Sequence, residues 1–114
     1  MVKDNLIQAV EALGIPCYYA KSFTPQKEDY YVTFYVMTSD DVACFDNRRH
    51  VTNWSFELRY FDDNPERREN RKYEIRDALE KAKFFTDGIG WDITRTSEND
   101  MDGFSMVFDY LELV

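Results

Sequence analysis

The chain has one histidine and two cysteines among its 114 residues. His50 alone leaves a histidine-rich metal site or a Ser-His-Asp arrangement little to build on. Its place behind Arg48 and Arg49, at the head of a strand, reads as a surface position. Cys17 and Cys44 are far apart, in no metal-ligand spacing, and read as reduced thiols. No basic neighbour of Cys17 is evident that would activate it as a nucleophile. Glycine and proline are also sparse, at four and three. Gly88-Ile-Gly90 has no strand-to-helix turn after it and is no phosphate loop; it relaxes the chain before Trp91. No apolar run approaches the roughly 20 residues that span a bilayer, and no secretory apolar segment opens the chain. A soluble intracellular protein without a membrane partner is therefore expected.

Basic residues are outnumbered, 14 against 22 acidic, for a net charge of −8. The imbalance is uneven. Residues 1–46 sum to −4, 47–60 to +2, 61–83 to zero and 84–114 to −6. A phosphate backbone wants a basic patch, so nucleic-acid binding as the main activity is disfavoured. The acidic surplus by itself does no more than maintain solubility.

What is present is apolar and aromatic: 44% hydrophobic and 17% aromatic residues. That suffices for one domain with one core, residues 1–114, without disulfides or a structural metal. Val2 to Leu13 sets Val2, Leu6, Ala9, Val10 and Leu13 on one helical stripe, closed by Gly14 and Pro16. A short strand, Ile15 to Tyr19, leads to a polar connection carrying Pro25. Tyr30 to Met37 is the clearest strand, and Thr38-Ser-Asp-Asp41 is expected to break it. Val42 to Phe45 reads as a short further strand. Val51 to Phe61 alternates Thr52, Trp54, Phe56, Leu58 and Tyr60 onto one face. Asn64 and Pro65 then cap a charged helix to about Ala82, with Tyr73, Ile75, Ala78, Leu79 and Ala82 turned inward. A hairpin closes the chain: Trp91 and Ile93, an acidic tip at 96–103, and Phe104 to Leu113. The expected fold is α+β, a mixed or mostly antiparallel sheet of four or five strands against two helices, in the order α-β-β-(β)-β-α-β-β.

Two helices cover one side of such a sheet. Tyr31, Tyr35, Met37, Val107, Leu111 and Leu113 alternate onto the other, and an uncovered apolar face marks a protein interface. Sheet twist and the 38–50 segment could equally cover them. That segment places Asp40, Asp41 and Asp46 before Arg48 and Arg49, with Phe45 among them. It is either a plain connection or an arm that sets charge complementarity between subunits.

Other groups read as structure. Asp62-Asp63 directly precedes a helix and reads as capping rather than catalysis; Glu57 completes the carboxylates a small enzyme would use. The tip Glu98-Asn-Asp-Met-Asp102 lacks the spacing of an EF-hand loop. Trp54 and Trp91 read as core anchors. No catalytic, cofactor-binding or metal-binding residue is assigned, and no cofactor.

Several features together resemble a known family, the small tail terminator or tail-completion proteins of long-tailed bacteriophages and prophages. They are the N-terminal helix followed by Gly14-Ile-Pro16, the aromatic strand Tyr30-Tyr-Val-Thr-Phe-Tyr-Val36, Phe45-Asp-Asn47, and Trp54-Ser-Phe-Glu-Leu-Arg-Tyr60. The helix end Ala78-Leu-Glu-Lys-Ala82 and the closing Phe104-Ser-Met-Val-Phe-Asp-Tyr110 complete the match, which runs nearly the whole length. The Asp40-Asp41 pair and the acidic tip depart from many relatives. The resemblance implies a structural virion protein, not an enzyme, forming a ring of six copies on the head-proximal end of the tail. The ring stops polymerisation of the tail tube protein and meets the head-side connector protein, with DNA only as passing cargo. Assembly would take place in the bacterial host's cytoplasm. A head–tail connector, another minor virion protein, or a regulatory binding module outside viruses is the alternative.

Tyr31, Tyr35, Met37, Asp40, Asp41, Phe45, Asp46, Arg48 and Arg49 are the expected interface residues. Charge reversal at Arg48 and Arg49 is expected to impair assembly, measured by sedimentation, while leaving the thermal midpoint nearly unchanged.

Overall fold

A computed structural model describes residues 2–20, 29–45, 49–86, 88, 90–94 and 101–113, the side chains of 40–45, 49, 50 and 113 excepted. Among them the chain forms α1 (Val2–Glu11), β1 (Cys17–Tyr19), β2 (Tyr30–Phe45), β3 (Arg49–Asp62), α2 (Pro65–Lys81), β4 (Trp91–Ile93) and β5 (Gly103–Leu113). The strands lie in the order β1-β2-β3-β5-β4, with β1 parallel to β2 and every other pair antiparallel. This is the α+β fold with a five-stranded mixed sheet.

Local chemistry explains the element ends. Gly14 adopts a left-handed φ of 81° just past α1, where a side chain would be strained. Asn64 Oδ1 accepts the Arg67 backbone N–H at 3.0 Å, and Pro65 occupies the first turn of α2. Lys72 Nζ donates to Glu69 Oε1 at 3.0 Å, three residues back along α2.

Both helices pack on one face of the sheet. Leu6 and Val10 of α1 and Ile75 and Leu79 of α2 meet Val32, Phe34, Phe56, Leu58, Tyr60, Phe104, Met106 and Phe108, all fully buried. Each such side chain contributes roughly 1.5–3 kcal/mol relative to exposure. These strand positions are the even-numbered ones, so period-two alternation alone assigns them to the core. Burial also pushes the Cys17 thiol up to about 12, with Glu11 adding to the effect, so it stays protonated in the core.

Three expectations fail. Thr38–Asp41 does not break the strand: β2 continues to Phe45, absorbing the irregularity in register shifts at Val36/Thr38 and Asp41/Ala43. Val42 to Phe45 is thus no separate strand, and residues 38–45 are no loop. They belong to the outer half of a β2–β3 hairpin that helps draw the molecule out to 51 × 25 × 23 Å. Tyr73 points outward, 48% exposed, while Lys72 takes the buried position. Its ammonium reaches Glu69 and Asp92 and sits 5.7 Å from the Phe104 ring centre, so its stem packs where an apolar residue was expected. Trp91 is 52% exposed rather than a core anchor. Its strand is a three-residue edge paired only to β5, opposite Ser105 on the face away from the helices.

The joint between sheet and α2 is a buried carboxylate. Asp62 is fully buried at the end of β3. The Tyr60 hydroxyl donates to its Oδ2 at 2.6 Å and the Asn64 N–H to its Oδ1 at 2.9 Å. Arg67 grips both oxygens, Nε on Oδ2 at 2.5 Å and Nη2 on Oδ1 at 2.9 Å. Burial alone would raise the Asp62 pKa, but Arg67, Tyr60 and Asn64 outweigh it and hold it below the usual 3.8. A depressed carboxylate contributes stability that is complete above the ordinary range and is lost as pH falls through the folded value. Asp62→Ala should therefore cost about 2–3 kcal/mol at neutral pH. That is below the usual loss for a broken buried pair because Arg67 is partly exposed to water. Urea midpoints should show this deficit narrowing in acid; an equal deficit at every pH would contradict the assignment.

Candidate interface: the bare sheet face and the hairpin arm

The odd-numbered positions of β3 and β5, with those of β2 as far as the bulge at Met37, form the face opposite the helices. Across the strands the register aligns Tyr31 with Phe61 and Gly103, Thr33 with Arg59 and Ser105, Tyr35 with Glu57 and Val107, and Ser55 with Asp109. Trp91 joins the second row and Phe85 the last, where it exchanges two backbone hydrogen bonds with Asp109.

Five large hydrophobic side chains are exposed among the described residues: Met37, Tyr73, Phe85, Trp91 and Leu111. All but Tyr73 lie on this face. Met37 sits at the bulge of β2, and Phe85, Trp91 and Leu111 follow the β5 side. Tyr31, Tyr35 and Val107 are half-buried here, with Tyr31 packed on Phe61 at 5.1 Å between ring centres.

The middle of the face is polar, which the expectation of an apolar surface missed. Glu57, only 6% exposed, accepts from Arg59 Nε at 2.5 Å, and the guanidinium lies 5.8 Å from the Tyr35 ring centre. Partial burial, and then the bond to Glu57, raise the Tyr35 pKa. The Ser55 hydroxyl donates to Asp109 Oδ1 at 2.5 Å. The signal was present in the sequence: Ser55, Glu57 and Arg59 alternate with Trp54, Phe56, Leu58 and Tyr60. The face is thus two apolar margins around a paired polar centre.

Of the expected interface residues, Tyr31, Tyr35 and Met37 share this face. Asp40, Asp41 and Phe45 lie on β2 of the hairpin arm, opposite Asn53, Thr52 and Arg49. They therefore belong to the same sheet and not to an independent loop. Asp46 and Arg48 fall outside the described residues, as does most of the acidic tip. Sequence reasoning also missed Phe85 and Trp91. Trp91 borders a small cleft beside β5, lined also by Thr86, Gly88, Gly90, Val107 and Asp109. Gly90, at φ 77°, lets the chain press on the Ser105 carbonyl, where a Cβ would collide.

The three carboxylates a small enzyme would use are dispersed. Glu57 is on the bare face and Asp62 is under α2, while Asp63 accepts the Asp102 backbone N–H at 3.1 Å. Among the described residues no three His, Cys, Asp or Glu side chains gather as metal ligands, and no helix is long and apolar enough to cross a membrane. The chain matches no protein-family model and no curated protein by sequence.

Met37→Ser with Leu111→Ser should leave the urea midpoint within about 0.5 kcal/mol of wild type, since both side chains are already half in water. Retention on a hydrophobic-interaction column should fall. A large loss of stability would mean that these side chains belong to the fold and not to a contact surface.

Proposed function

We propose that the chain is a structural virion protein that forms a ring, of six copies, on the head-proximal end of a phage tail tube. There it ends tube polymerisation and joins the tail to the head-side connector. The reading starts from the family resemblance in the sequence. One observation supports it most: the sheet has a face without helices that collects four of the five large hydrophobic side chains exposed among the described residues, and the long β2–β3 hairpin extends that same sheet. A ring requires heterologous contacts, in which one patch meets a different patch on the next copy. The bare face and the arm are two such patches on one rigid sheet. The net charge of −8 suits a channel through which DNA slides as cargo.

The deciding experiment is electron microscopy of particles made without this chain. Overlong, headless tubes are the outcome expected of a terminator. Tails of normal length that fail to attach to heads would favour a connector instead. Normal, infectious particles would refute both.

A further inference from the structure

The two sides of β5 are held very unequally. Toward β3 its register runs unbroken from Gly103 to Leu113, and Phe104, Met106 and Phe108 are fully buried in the core. On the outer side β4 pairs with it over three residues: Trp91 with Ser105, Asp92 with Phe104 and Ile93 with Gly103. Asp109 exchanges both of its backbone hydrogen bonds with Phe85, so its N–H and C=O face outward. That direction alternates along an antiparallel strand. The N–H and C=O of Gly103 and Ser105 therefore also face outward, to β4, while those of Phe104 and Met106 face β3.

Little of β4 is packed into the fold. From Gly88 to Thr94 every described residue is exposed except Ile93, which is half-buried. The tie from β4 to α2 is the Lys72–Asp92 ion pair at 3.1 Å, and the Asp92 side chain is 75% exposed, so water screens it.

The seat beneath β4 also opposes closure. Ser105 is fully buried, and its hydroxyl makes no hydrogen bond among the described residues. Trp91 stands opposite it across the strand pair, on the same face, so the indole covers Ser105 as long as β4 is paired. A hydroxyl buried without a partner is destabilising, and lifting β4 returns it to water.

We infer that β4 is a strap poised to lift from β5 as one unit while the rest of the sheet stays folded. Closed, it covers backbone groups that would otherwise be a template for pairing with another chain. Lifted, it bares the outward N–H and C=O groups of Gly103 and Ser105. The strap goes beyond the ring reading and does not depend on it.

Amide hydrogen exchange of the whole chain, followed residue by residue by NMR, tests it. Trp91, Ile93, Gly103 and Ser105 should exchange through one shared opening, at least about a hundredfold faster than Phe104 and Met106 after correction for intrinsic rates. That opening should be insensitive to low concentrations of urea, because it exposes little surface. Asp109 faces the same edge but is paired to Phe85, so it should stay protected when β4 lifts. Ser105→Ala removes the unpaired hydroxyl and should slow exchange at Trp91, Ile93 and Gly103 about fivefold. Protection of the four amides equal to that of Phe104 and Met106, four unrelated rates, or joint exchange with Asp109 would each overturn the strap. So would a Ser105→Ala chain in which Trp91, Ile93 and Gly103 exchange no more slowly than in wild type, since the hydroxyl would then stay covered during the opening.

Discussion

The Asp62 carboxylate is the joint on which the architecture depends. It closes the central strand, accepts from the core residue Tyr60, and is gripped by Arg67 from the first turn of α2. Its own backbone extends the joint: the carbonyl accepts from Arg68 Nη1 at 2.8 Å, and the N–H donates to the Asp102 carbonyl at 2.9 Å, just ahead of β5. One residue thus fixes the angle at which α2 leaves the sheet and the place where β5 enters it. A buried charge is tolerable here because both carboxylate oxygens and the facing guanidinium satisfy one another. Arg67 and Arg71 also lie over the Tyr30 ring, which ties the start of β2 to the same corner.

From that corner the sheet extends in one direction only. Both helices cover the even-numbered face near the joint, and the core reaches as far as the partly buried Val36, Trp54 and Tyr110. Past that level β2 and β3 continue, flanked by β5 as far as Val51 and Leu113, with Thr38 and Ser39 exposed. The division of labour follows. Packed side chains near Asp62 hold the shape, while the odd-numbered face and the arm remain available to other molecules. The polar centre of that face also protects it, because paired charges among apolar margins disfavour indiscriminate association.

Much of this was legible from alternation and capping chemistry. Thr52, Trp54, Phe56, Leu58 and Tyr60 were assigned one face by period two, and Asn64-Pro65 marked the start of α2. The misses share a cause. Thr38-Ser-Asp-Asp41 carries poor strand formers, yet pairing with β3 on one side holds it extended. Tyr73 and Trp91 were placed inside because large aromatics usually are; the turn of α2 and the edge position of β4 turned them out. Lys72 is a cation, yet its two acidic partners and its apolar stem allow it to take a buried position on α2. The continued β2, the edge position of Trp91 and the Lys72–Asp92 contact depend on neighbours remote in sequence, which local propensity does not contain.

By itself the sequence determined the α+β class, the helix boundaries within a few residues, and which strand positions form the core. These follow from short-range periodicity and from hydrogen bonds closed within a turn. Only the tertiary structure decided that residues 38–45 extend β2, that Asp62 is buried between Tyr60 and Arg67, and that Trp91 and Asp109 share a cleft beside β5. Strand pairing sets those relations. Register between segments more than fifty residues apart, such as Trp54 with Tyr110, is fixed by which faces can be buried together and not by any local signal.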